Sequence, residues 1–257
     1  MEPVVDLSMW VILCGIGLLA GFIDAIAGGG GMLTVPTLLT AGLPPHVALG
    51  TNKLAATFGS CTASYTFYKN KLFNPIFWRY SLISTAIAAV LGTLVVSILS
   101  TDFLDKYLPL IIVLTGIYTL LSKSVNVEQL TLPKECKKLV SQQISQGLIL
   151  GFYDGLAGPG TGAFWTASSS ALYKINILLS SGLARSTNFV SNFFSLFTFI
   201  YLGYVNFFLG ISMGLFIMIG ARIGAKSAIK FGNKFIKPVF IGVVLAMSIN
   251  LALNAWN

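Results

Sequence analysis

A chain of 257 residues that is 55% hydrophobic and only 9% charged has too few charges to clothe a water-facing globule, whose residues are about a quarter charged. Apolar runs recur along its whole length, and a helical bilayer span needs about 20 such residues. Residues 1–257 therefore read as one all-α integral membrane domain, and a soluble fold is excluded. The net charge of +8 leaves nucleic acid open as a partner on composition alone, and the positions of the charges decide that question.

The chain opens with Glu2 and Asp6 and no basic residue. A cleaved signal peptide would open with positive charge, so the first apolar run is expected to be retained. Five apolar segments follow in the first half: Leu7–Ala27, Met32–Leu43, His46–Tyr68, Ile76–Leu99 and Tyr107–Ser122. A polar linker spans Lys123–Ser141. The second half holds Gln143–Ala157, Gly162–Tyr173, Leu178–Tyr201, Phe207–Ala225 and Ile236–Trp256. The second segment of each half has about 12 residues, or roughly 18 Å of helix. A span covers about 30 Å, so these two are expected to be half-helices or arms of re-entrant hairpins.

The halves repeat each other. Gly21-Phe22-Ile23-Asp24 matches Gly151-Phe152-Tyr153-Asp154, Ala27-Gly28-Gly29-Gly30 matches Ala157-Gly158-Pro159-Gly160, and Thr51-Asn52 matches Thr187-Asn188. The repeats are residues 7–122 and 143–256. Lys and Arg concentrate in cytoplasmic loops, and here the charge changes loop between the halves. Lys69, Lys71 and Arg79 follow the third segment, whereas its counterpart loop Leu202–Asn206 has no charge. Lys226, Lys230, Lys234 and Lys237 follow the ninth segment, whereas the fourth is followed by Asp102, Asp105 and Lys106. An inverted-topology repeat of two five-segment halves explains that switch. It places the linker in the cytoplasm and both termini outside. Thirteen of the 16 basic residues then face inward, which removes the nucleic-acid reading.

Inverted repeats with broken helices are a recurring construction in secondary transporters, with the binding site where the repeats meet. The Gly-rich breaks Gly28-Gly29-Gly30-Gly31 and Gly158-Pro159-Gly160 are the first candidates. The short segments behind them begin with unpaired N–H groups and a positive dipole end, which favours an anion. The alternative is a tight turn that lets helices pack closely. Lys53 and Arg185 are cations inside apolar segments, costly there unless they meet a substrate, a partner or a cavity. Anion contact, an internal ion pair and snorkelling all remain open for them. Thr51, Asn52, Thr187, Asn188 and Asn192 offer hydrogen bonds beside those cations, and Asn188 and Asn192 share one helix face.

Asp24 and Asp154 are the acids of the apolar segments. They could carry a coupling ion, cap the neighbouring Gly turn, or pair with Lys53 or Arg185. The glycines of Gly17–Gly21 and Gly220–Gly224 read as helix-packing surfaces. Cys14, Cys61 and Cys136 have neither pairing nor metal spacing, and Cys14 and Cys61 are expected to be small core residues. His46 is the lone histidine and receives no role. No cofactor, metal or catalytic group is expected, because no nucleophile–base or metal cluster can be assembled from these residues.

Gly21-Phe22-Ile23-Asp24-Ala25-Ile26-Ala27-Gly28-Gly29-Gly30-Gly31 followed by Thr51-Asn52-Lys53 resembles the TauE/SafE sulfite-exporter family, in particular its YfcA-like branch. Gly151-Phe152-Tyr153-Asp154-Gly155 with Gly158-Pro159 is similar to the second-half signature of that branch. The resemblance covers nearly the whole chain and implies a bacterial inner-membrane transporter of sulfite, sulfoacetate or a related sulfur-containing anion. Where the branch carries a lysine this chain has Arg185, whose planar fork suits a tetrahedral oxyanion better than a point charge does. The combined expectation is a secondary transporter of a small anion that works by alternating access. Its partners are that anion and the bilayer, with a coupling proton or sodium ion and a second copy of the chain left open. The rival readings are a passive anion channel and a non-transporting membrane partner protein.

Overall fold

The computed structural model describes residues 6–104, 106–107 and 131–232, and among these all regular secondary structure is helical. The helices are α1 (Leu7–Ala27), α2 (Gly31–Thr40), α3 (Pro45–Lys69), α4 (Arg79–Ile98), α5 (Lys137–Leu156), α6 (Thr161–Tyr173), α7 (Ile177–Tyr201) and α8 (Phe207–Phe231); residues 101–104 are also helical. Three of them, α1, α4 and α8, are long and apolar enough to cross a bilayer. Helices α3 and α7 are as long, at 25 residues each, but spend many positions on buried Thr, Ser and Asn.

Local signals set the helix ends. Gly28 takes φ +85° and stops α1, its N–H returning to the Asp24 carbonyl. A left-handed residue at this position costs an L side chain about 1–2 kcal/mol and glycine nothing. Pro45 opens α3 at a position where a missing N–H is harmless. Asn176 and Asn206 cap α7 and α8, accepting the N–H of Leu179 at 2.9 Å and of Leu209 at 3.0 Å.

Packing runs through small residues. Helices α1 and α8 lie parallel, with Gly17 against Met213, Gly21 against Ile217 and Gly220 against Leu18. Helices α4 and α5 lie parallel in the same way, with Gly147 against Ser84, Gly151 against Thr85 and Gly155 against Ala89. With lipid outside there is little hydrophobic drive between helices, so close backbone approach supplies the contact. Helix α3 runs alongside α8, with Leu54 on Gly210 and Gly59 on Ile217. Helix α7 runs against α3, joined by a 2.7 Å hydrogen bond between the Ser64 and Ser186 hydroxyls. The short helices turn back on the long ones: Leu38 packs with Leu13, and Tyr173 packs with Leu139. The ends of α3 and α8 therefore lie at the same end of the bundle as the starts of α4, α5 and α7. That end carries Lys69, Arg79, Lys137, Lys174, Lys226 and Lys230.

Several expected boundaries move. The polar linker was expected to reach Ser141, but α5 begins at Lys137. Helix α8 runs past Ala225 to Phe231, and α4 begins at Arg79 rather than Ile76. In each case hydropathy marks the apolar stretch, while the helix continues into charged residues or begins after a turn. Asn74 Oδ1 accepts the N–H groups of Ile76 and Phe77 at 3.0 and 3.2 Å and turns the chain before α4. Cys14 is buried as expected, but Cys61 is exposed, on the outer face of α3. Apart from Tyr107, the expected segments Tyr107–Ser122 and Ile236–Trp256 lie outside the described residues, as do residues 123–130 of the linker.

Candidate binding site between the broken helices

The two glycine-rich breaks meet in space. A Cβ on Gly28 would collide with the Gly162 backbone, and one on Gly31 would stand 3.4 Å from Pro159 Cα. Around this meeting point lies a cavity of about 40 Å³. At roughly 10–15 Å³ per water it holds about three waters, the room of an ion with few heavy atoms. The starts of α2 and α6 both reach its wall, at Gly31 and Gly162.

Two ion pairs cross between the halves. From α3, Lys53 Nζ donates to the Asp154 carbonyl at 2.5 Å, to Asp154 Oδ1 at 2.8 Å and to Asn192 Oδ1 at 3.2 Å. From α7, Arg185 Nη1 donates to the Asp24 carbonyl and stands 3.7 Å from Asp24 Oδ2. Its Nη2 reaches Thr166 Oγ1 at 3.3 Å and the Gly162 carbonyl at 3.4 Å. Each cation thus closes the C-terminal end of a helix from the other half, donating to a carbonyl of its last turn and opposing the negative dipole end. The four charges cancel as a set.

The pairs are not equivalent. Both Asp154 oxygens are engaged: Thr161 and Lys53 donate to Oδ1, and Ser191 donates to Oδ2. Asp24 Oδ1 accepts the Gly30 N–H at 3.0 Å, and its side chain keeps 25% exposure against 4% for Asp154. Both carboxylates line the cavity, and Asp24 is the more exposed of the two.

Three asparagine amides complete the wall. Asn52 Oδ1 accepts the Thr34 hydroxyl at 2.5 Å, and Asn192 Oδ1 accepts Lys53. Asn188 Oδ1 is buried without a partner. The acceptor ends of Asn52 and Asn192 are therefore tied, while that of Asn188 is not. Their NH₂ ends have no hydrogen-bond partner among the described residues, and all three side chains line the cavity. An amide with its oxygen engaged can only donate, so Asn52 and Asn192 present donors to the cavity.

The structure gathers most of the expected residues here: Asp24, Gly28, Gly30, Gly31, Asn52, Lys53, Asp154, Gly158, Gly160, Asn188 and Asn192 all line the cavity. Gly29, Thr51, Pro159, Arg185 and Thr187 do not. Thr51 Oγ1 accepts the Asn206 N–H at 3.0 Å, and Thr187 Oγ1 donates to its own helix at Leu183. The Pro159 carbonyl accepts the Tyr153 hydroxyl at 2.7 Å. Arg185 is fully buried behind the wall. Sequence reasoning missed Thr34, Thr161 and Ser191, which hold Asn52 and Asp154 in place. Thr34 follows Gly30 by one helical turn and Ser191 follows Asn188 by three residues, so position relative to the motifs was the available signal. It also gave His46 no place; its ring is buried, with Nε2 3.1 Å from the Val96 carbonyl and the Tyr204 ring 5.0 Å away.

Apolar spans around a buried polar cavity built at helix breaks define a multi-pass membrane protein of the transporter class. The chain belongs to the TauE/SafE sulfite-exporter family, whose model, "Sulfite exporter TauE/SafE", matches residues 13–251. It is 36% identical over 236 residues to "Probable membrane transporter protein ORF9" of Sinorhizobium sp, covering 91% of this chain and 88% of that protein. It is 34% identical over 240 residues to "Probable membrane transporter protein YfcA" of Escherichia coli K12, covering 93% and 88%. A shorter stretch of 88 residues is 36% identical to "Sulfite exporter TauE/SafE family protein 3" of Arabidopsis thaliana, covering 34% of this chain and 18% of that protein. No solved structure matches.

Proposed function

We propose that the protein is a secondary transporter of a small sulfur oxyanion or organosulfonate, sulfite-like or sulfoacetate-like, across the bacterial inner membrane. The observation that carries this reading is the row of asparagine NH₂ donors on a cavity of about 40 Å³. With Lys53 and Arg185 neutralised by their aspartates, the remaining bias toward an anion comes from those donors and from the starts of α2 and α6. The two halves form an inverted repeat, each with a re-entrant pair (α1–α2 and α5–α6). Alternating access is the rocking of one half against the other, with the crossed ion pairs at the seam. The basic end of the bundle is the cytoplasmic one, and a proton or sodium ion exchanging at an aspartate couples the movement.

The test uses purified protein in liposomes loaded with sulfite or sulfoacetate. A carrier gives uptake of labelled anion that rises when unlabelled anion is present on the opposite side. Asn52→Ala and Asn188→Ala each remove a donor to a charged ligand, about 1.5–3 kcal/mol, so each is expected to raise the half-saturating concentration about tenfold or more. Flux indifferent to the opposite side would make the protein a passive channel. No binding or flux with sulfite, sulfoacetate, thiosulfate, taurine or simple carboxylates would make it a non-transporting partner.

A further inference from the structure

A second feature lies away from the central cavity, on the outer surface at the basic end of the bundle. A groove of about 710 Å³ runs between the C-terminal halves of α3 and α8. Its wall carries Lys69 from α3 and Arg222, Lys226 and Lys230 from α8. The three α8 cations recur every four residues and so form one stripe along the helix. Among the described residues no acidic side chain lines the groove, and both of their ion pairs lie elsewhere. Four like charges facing one groove repel one another, and an anion seated among them relieves that repulsion.

The other side of the α3 ridge is different. A groove of about 370 Å³ lies there, lined by Phe73, Leu82, Phe189 and Val190 and almost free of polar surface. The two grooves share Cys61 and Tyr65. Tyr65 is 62% exposed and lines both grooves, one helical turn before Lys69, and amphipathic rings favour the headgroup level of a bilayer. A ligand that fills both grooves has a phosphate-bearing head and an aliphatic tail, passing over Tyr65.

We infer that this paired groove is a binding site for an anionic phospholipid, its phosphate held by Lys69, Arg222, Lys226 and Lys230 and one acyl chain lying along Phe189 and Leu82. Basic pockets between helices at the membrane surface recognise such headgroups, and the adjoining apolar groove is what distinguishes a lipid from a free oxyanion here. The site is separate from the central cavity, so it stands or falls independently of the transported solute.

The experiment is native mass spectrometry of the purified full chain, delipidated in detergent and then given phosphatidylglycerol, phosphatidylcholine or inorganic phosphate, with thermal unfolding in parallel. Phosphatidylglycerol is expected to remain bound at a ratio near one and to raise the unfolding temperature by several degrees, while phosphatidylcholine and phosphate do neither. Arg222→Gln/Lys226→Gln is expected to cut phosphatidylglycerol retention about tenfold with lipid-free unfolding unchanged. Arg222→Lys/Lys226→Arg keeps the charge and should retain the lipid, which separates loss of binding from loss of fold. Leu82→Gln, on the tail groove alone, should also weaken retention. Equal retention of the two lipids, full retention by the Gln variant, or stabilisation by phosphate alone overturns the proposal.

Discussion

Lys53 meets two demands at once: it lines the cavity, and it neutralises Asp154 where that side chain is only 4% exposed. Breaking a buried pair by removing one partner costs about 3–5 kcal/mol, because the other charge is left uncompensated. Lys53→Met is therefore expected to unfold at a markedly lower temperature in detergent and to lose anion flux. Lys53→Met/Asp154→Asn removes both charges. Its unfolding temperature should return most of the way, while flux stays lost, because the cavity wall still lacks the Lys53 side chain. Recovery of flux in the double variant would reduce Lys53 to a structural role. Asp24 is the contrasting case, exposed to the cavity and bonded to the Gly30 N–H. If it exchanges the coupling ion, Asp24→Asn abolishes accumulation driven by a pH or sodium gradient but leaves anion exchange between the two sides of a liposome. Unchanged gradient-driven uptake in both Asp24→Asn and Asp154→Asn would remove the aspartates from coupling.

The elements depend on glycine seams more than on apolar bulk. Gly21 and Gly15 lie on the same helix, yet a Cβ at Gly21 would overlap the Ile217 backbone while one at Gly15 would meet nothing within 4 Å. Gly21→Leu is expected to force α1 from α8 and destabilise by about 1–3 kcal/mol or more, as overpacking does. Gly15→Leu, facing outward, should leave the unfolding temperature where it was. Detergent unfolding of the two variants side by side checks the seam. Such seams were legible in the sequence because glycine repeats every four residues on one face, and the short helices were legible because Gly28 and Gly160 interrupt apolar runs. Asp24, Lys53, Asp154 and Asn188 stood out because polar groups are costly in apolar segments. Thr34, Thr161 and Ser191 did not stand out. Hydroxyl residues are common in membrane helices and most bond their own backbone, as Thr187 does; only the fold reveals which ones turn to an aspartate or an amide. The crossing of the ion pairs, Lys53 to Asp154 and Arg185 to Asp24, was equally hidden, since anion contact, an internal ion pair and snorkelling all stood open for each cation in sequence, with anion contact foremost. The helix ends at Lys137 and Phe231 were missed because charge ends a membrane span without ending a helix.

At the scale of the whole molecule, the proposed inverted repeat makes a demand that no single half would make. Helices α2 and α6 each follow a glycine break, in matching order along the two halves of the chain. If the halves have opposite orientation, the end of α2 and the end of α6 open on opposite sides of the membrane. Thr40 stands at the first and Lys174 at the second, and both are exposed. The helix directions add two controls: Tyr201, at the end of α7, belongs with Thr40, and Asn70, just past α3, belongs with Lys174. With Cys14, Cys61 and Cys136 replaced by serine or alanine, single cysteines at these four positions can be challenged in intact cells with a membrane-impermeant thiol reagent. Thr40→Cys and Tyr201→Cys are expected to react from outside. Asn70→Cys and Lys174→Cys should react only after the membrane is opened, because they lie at the end that carries Lys69, Lys137, Lys226 and Lys230, and lysine-rich ends are retained in the cytoplasm. Labelling of Thr40→Cys and Lys174→Cys from the same side would put both short helices at one face. The halves would then be a parallel repeat, and rocking about a shared central cavity would lose its symmetry basis. Labelling of the whole set in reverse would preserve the inversion but turn the molecule over, placing the basic end outside and the lipid groove in the opposite leaflet.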